Sequence, residues 1–182
     1  MSRTIHLFDP PDRFSAGTLG EPGSRTFFLQ AVQGPRIVSV ILEKSQLSAI
    51  TERLAYLLRA LKKNHISGER VGDESHDTTL SLPILEEFRV GLIALTWLED
   101  RGIISLTLQA LTSDGEMGEE ISDEEDEDAP DILRVNMSVQ MAAAFATRSE
   151  LLISAGRPPC PFCSLPLDPN GHLCPRENGY RR

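Results

Sequence analysis

The three cysteines of this 182-residue chain fall within 15 residues of one another, as Cys160, Cys163 and Cys174, with His172 among them. The pattern C-x2-C-x8-H-x-C limits how the chain can be held together. Clustered cysteines of odd number cannot staple a scattered disulfide framework, so the rest of the chain must hold itself by an apolar core. Four soft or borderline donors at this spacing suit a tetrahedral zinc ion. Pro161 bends the chain between the first two ligands, and Gly171 permits a turn before the second pair. In an extended segment residues i and i+2 face the same way, so His172 and Cys174 can reach one metal. The expected cofactor is a structural zinc ion held by Cys160, Cys163, His172 and Cys174. Free thiols beside a histidine are the plain alternative.

A hydrophobic content of 40% supports one compact domain with a small appendage. We divide the chain into a domain over residues 1–157 and a zinc-binding tail over 158–182. No apolar run approaches the roughly 18 residues of a membrane helix, and the first residues lack the apolar stretch of a signal peptide. A cytoplasmic protein without membrane contact is expected. The net charge of −9 comes from one place: eleven carboxylates and no basic residue lie between Asp114 and Asp131. Without them the remainder is close to neutral. Residues 112–131 bury too little apolar surface to offset ordering and read as a mobile loop that contacts a protein partner.

Apolar alternation marks strands at 25–33, 36–43, 87–98, 102–111 and 132–138, with a shorter one through Phe14, Ala16 and Leu19. Met1 to Gly23 otherwise reads as turns. The short gaps at Gly34-Pro35 and at 99–101 predict antiparallel hairpins. Leu47, Ile50, Leu54, Leu57, Leu58 and Leu61 recur at helical spacing after Ser45, the expected cap. An alanine-rich helix follows at 139–153, ended by Gly156 and Pro158. Strand, turn, strand, helix thus occurs at 25–61 and again at 102–153, with Gln46 opposite Gln140. The fold class is α+β: a largely antiparallel sheet from two similar strand–strand–helix halves, with a zinc-knuckle tail at the C-terminus.

Chemistry outside the tail is sparse. No catalytic constellation can be drawn from His6, His65 and His76, and a flexible acidic run cannot position a general acid. Whether the chain is an enzyme stays open, with the reading leaning against it, and no catalytic residue can be named. The glycines at 17, 20 and 23 match neither dinucleotide nor P-loop spacing. Three readings remain. The preferred one is a binding or adaptor protein with a structural zinc site. The second is an enzyme or regulatory subunit for a phosphorylated small molecule, with Arg13, Arg25 and Arg176 converging on phosphate. The third is nucleic-acid binding through Arg176, Tyr180, Arg181 and Arg182, disfavoured because no basic stripe exists elsewhere and the acidic run repels a polyanion.

Three segments carry a family resemblance over essentially the whole chain: Phe8-Asp9-Pro10-Pro11-Asp12-Arg13-Phe14 with Gly17-Thr18-Leu19-Gly20, then Leu42-Glu43-Lys44-Ser45-Gln46, and the ending CPFCSLPLDPNGHLCPRENGYRR. With these the chain resembles an uncharacterised actinobacterial family, a domain of unknown function. That resemblance implies genes nearby for a phosphatidylinositol-kinase-like protein and a phosphoglycerate-mutase-like protein. It supplies no catalytic residue.

Overall fold

The computed structural model describes residues 3–21, 23–64, 80–122, 128–155, 160–164, 174 and 176. Along the chain run β1 (Ile5–Phe8), β2 (Arg13–Leu19), β3 (Thr26–Gln33), β4 (Arg36–Leu42), α1 (Lys44–Lys63), β5 (Glu86–Leu98), β6 (Ile103–Ala110), β7 (Ile132–Ser138) and α2 (Val139–Ser154). The fold is α+β, and all seven strands share one mostly antiparallel sheet in the order β1-β7-β6-β5-β4-β3-β2. The period-2 pattern explains the strands. Ile104, Leu106, Leu108 and Ala110 of β6 point into the core, while Ser105, Thr107 and Gln109 take the other face, also buried.

The sheet consists of two meanders, β2-β3-β4 and β5-β6-β7, each followed by a helix. They join through a parallel β4–β5 pair, with Val40 opposite Phe88. The repeating unit therefore has three strands and a helix, one strand more than the sequence pattern suggests. The loop of the second unit's last hairpin carries the acidic run, where the first unit has Gly34-Pro35. The helix starts correspond less closely than expected. Glu43 caps α1 and Ser138 caps α2, so the third helical residues are Gln46 and Met141; Gln46 and Gln140 are one position out of step.

β1 is a strand that the sequence reading places among turns. It pairs in parallel with β7, Phe8 opposite Val135, and so lies at the sheet edge away from β2. Only residues 9–12 connect β1 to β2, a reach of at most roughly 18 Å. A flat sheet would separate these outer strands by about 29 Å. The sheet must curl, and the contacts of this connection agree. Arg36 of β4 donates to the Leu7 carbonyl at 2.7 Å and lies over the Phe8 ring at 4.3 Å. The Gly34 N–H donates to the Asp12 carboxylate at 2.6 Å. From the far end of the strands, Arg101 grips Asp9 through two bonds of 2.9 Å.

Both helices join one core with the sheet and pack against each other. Leu47, Ile50, Leu54 and Leu61 form the buried stripe of α1. Its start is fixed by a capping box in which Glu43 and Gln46 bond reciprocally to backbone, not by Ser45. Gln46 also donates to the Val90 carbonyl at 3.0 Å, tying the helix to β5. α2 packs against β2 and β7 as well as α1. Phe145 stacks on Phe14 at 4.7 Å between ring centroids, and both are almost fully buried. Ser138 caps α2 by accepting from the Met141 N–H at 3.1 Å. Among the described residues no helix is long and apolar enough to cross a membrane.

Candidate metal centre

Beyond α2 the first two cysteines sit on a tight turn. Ser164 N–H donates to the Cys160 carbonyl at 2.9 Å, and Phe162 N–H donates to Cys160 Sγ at 3.4 Å. Ser164 takes φ 62°, the left-handed conformation that turns the chain back. This knuckle brings Cys163 toward Cys160, and Cys174 joins them from a separate stretch of chain. The three Sγ atoms all lie within 4.8 Å of one another, with Cys160 and Cys174 at 3.8 Å.

That distance is compatible with a shared metal ion. A disulfide would need about 2.05 Å, and none of the three cysteines forms one. Two thiolates on a tetrahedral zinc ion with Zn–S near 2.3 Å stand about 3.8 Å apart. Cys160 and Cys174 are buried and Cys163 is half-buried, so the cluster is shielded as a structural site would be. Burial alone would raise the Cys160 thiol. Hydrogen bonds from the backbone of Cys163 and Phe162 and from the Cys163 and Cys174 side chains outweigh it and hold its pKa below the ordinary value. Three sulfur donors select thiophilic metals over magnesium or calcium. Arg176 donates to the Phe162 carbonyl at 3.1 Å, which places a cation on the knuckle. His172 lies outside the described residues, as do His65, His76, Tyr180, Arg181 and Arg182.

The three candidate phosphate ligands are not brought together. Arg13 donates to Gln30 Oε1 at 3.2 Å and to the Ser81 hydroxyl. It is part of a network in which Gln30 also bonds Ser39 and the Ser81 backbone, holding the segment after residue 79 against the sheet. Arg25 donates to the Ala155 carbonyl at 2.8 Å, a cation at the carboxyl end of α2 where the helix dipole favours it. In the β2–β3 register Arg13 faces Val32 while Leu19 faces Thr26, so Arg13 and Arg25 stand at opposite ends, roughly 20 Å apart. Arg176 belongs to the knuckle.

The acidic run is anchored at both described ends. Ser122 N–H donates to buried Gln109 at 2.8 Å, and Thr4 N–H donates to the Asp131 carboxylate at 2.7 Å. Residues 123–127 lie outside the described set.

One feature escaped the sequence reading. A cleft of about 540 Å³ opens between β2, α2 and residues 80–84, with aliphatic walls and Arg148 as its charged group. Phe145, Arg148 and Leu152 follow helical spacing, so Arg148 falls on the stripe of α2 that faces protein. That placement was the available signal.

A search of curated protein sequences finds no match to the chain. The family model described as "Protein of unknown function (DUF3090)" matches residues 6–174, ending on the last cysteine of the cluster. The chain belongs to that family of proteins of unknown function.

Proposed function

We propose that this is a cytoplasmic binding or adaptor protein without catalytic activity, whose C-terminal segment is tied by a structural zinc ion. Cys160, Cys163 and Cys174 supply three thiolates, and His172 supplies the fourth ligand from two residues before Cys174. The observation that carries this reading is the convergence of three sulfurs from two separate stretches of chain, with one pair at the edge length of a zinc tetrahedron. Four protein ligands leave no open position to activate water, so the metal is structural. Three thiolates and a neutral imidazole give the loaded site a charge of −1, which Arg176 on the knuckle balances. The tail then folds on metal, while the main sheet rests on its own core.

The acidic run between Asp114 and Asp131, held to the sheet at Ser122 and Asp131, is the partner-contacting segment. The separate engagement of Arg13, Arg25 and Arg176 leaves the phosphate-binding reading without a common pocket. Native mass spectrometry of protein purified without chelator, before and after chelation, tests the metal reading. One zinc per chain is expected, and its loss on chelation should leave the sheet folded. A metal-free mass in reducing buffer overturns it.

A further inference from the structure

We infer that the cleft between β2 and α2 binds an aliphatic monocarboxylate, with the carboxylate on Arg148 and the chain along Leu19, Leu80, Leu82 and Ile84. The first argument is an uncompensated cation. The Arg148 guanidinium is half-buried, and its one hydrogen bond among the described residues is a long one of 3.5 Å to the Phe14 carbonyl. None of the ion pairs among the described residues includes it. Burial lowers its pKa, as expected of a cation taken from water without a counter-charge. A guanidinium in an apolar wall is costly unless an anion meets it.

Second, the rest of the cleft is aliphatic: the lining beside Arg148 is leucine, isoleucine, alanine and glycine, with Thr18 the remaining polar side chain. One charged group on such a wall selects one charged group on an otherwise apolar ligand. A single guanidinium fork matches a carboxylate, whereas a phosphate dianion would want several further donors, and among the lining side chains the Thr18 hydroxyl alone adds one. Third, the volume of about 540 Å³ falls in the range of small-molecule sites, roughly 300–1,000 Å³. Fourth, the mouth is apolar too. Leu82 is 77% exposed and Leu151 66%, a side-chain pair that water disfavours and an alkyl chain would cover. Gly17 builds the floor: a Cβ there would meet Leu80 Cγ at 2.5 Å, so glycine lets Leu80 close down on β2.

The cleft shares no residue with the cysteine cluster, so this inference deepens the binding reading without depending on metal. Failure of either leaves the other standing. The test is isothermal titration of the full chain with decanoate below its micelle concentration, with decanol, decylamine and acetate run in parallel. Decanoate should bind at least about tenfold more tightly than decanol, and decylamine and acetate should not bind measurably. R148Q should weaken decanoate at least about tenfold and leave decanol unchanged. L82E, at an exposed rim position that folding does not need, should weaken decanoate at least about fivefold by like-charge repulsion; this variant keeps the test open if R148Q does not fold. Equal affinity for decanoate and decanol, absence of decanoate binding, or unchanged decanoate affinity in either variant overturns the inference.

Discussion

Replacing Phe145 by alanine should produce the largest single loss of stability accessible on α2. Phe145 has no exposed surface, and its ring stacks on Phe14 of the edge strand β2 at 4.7 Å with 23° between planes. Its neighbours Ala142 and Ala146 are buried and small, so they cannot collapse into the space left. A buried Phe→Ala change costs about 3–5 kcal/mol in lost transfer energy and cavity, and the stacked pair contributes about 0.5–1.5 kcal/mol of that as coupling. At about 2–4 °C per kcal/mol for a chain of this size, the melting temperature should fall by about 6–20 °C. Circular dichroism melts and urea titrations of F14A, F145A and the double variant would measure both quantities. L151A, on the same helix but at a 66% exposed position, should stay within about 0.5 kcal/mol of the parent. A loss below about 1 kcal/mol for F145A, or no coupling with F14A, would refute the claim that α2 holds the edge strand through this ring.

Three further outcomes are expected. Asp9 is held below the usual carboxylate range, first by the Arg101 hydrogen bonds and then by Asn136, against an opposing effect of burial. A lowered folded pKa means stability present above about pH 3.9 and lost as the pH falls through the folded value. D9N should therefore melt below the parent at pH 7, with the gap closing under about pH 4; a gap constant from pH 3 to 7 contradicts this. Deleting 123–127 should shift the melting temperature little, because loop closure changes by about 0.6 kcal/mol per doubling of length. Deleting 116–127 also strips buried Gln109 of Ser122 and Glu120 and should cost about 1–3 kcal/mol; equal melting temperatures for the two deletions would show that Gln109 anchors nothing. C163S should lower zinc affinity by orders of magnitude and make the chain after residue 157 protease-sensitive, while the cooperative melt of the sheet is kept.

Much of the sheet was legible because its strands announce themselves locally. β3 and β4 flank Gly34-Pro35, and β5 and β6 flank 99–101, so period-2 alternation and a short gap sufficed. β1 was hidden because four residues carry almost no periodicity, and its partner β7 lies more than a hundred residues away. The parallel β4–β5 pair was hidden for a related reason: parallel pairing is set by how the crossover through α1 packs, not by a turn motif. With β1 unseen, the curl of the sheet was unseen as well. At the tail, cysteine spacing alone named the three residues that converge, because metal ligands must be of these types. Arg148 was missed because an arginine on a helix usually reads as solvated, although its spacing from Phe145 and Leu152 puts it on the stripe of α2 that faces protein.

The central claim is the metal centre, and X-ray absorption at the zinc edge tests it most directly. Protein expressed in zinc-supplemented medium, purified without chelator and desalted should retain one zinc per chain. Its spectrum should fit three sulfur scatterers near 2.3 Å and one nitrogen near 2.0 Å. Loss of zinc on desalting, or a shell of oxygen and nitrogen without sulfur, would contradict the account.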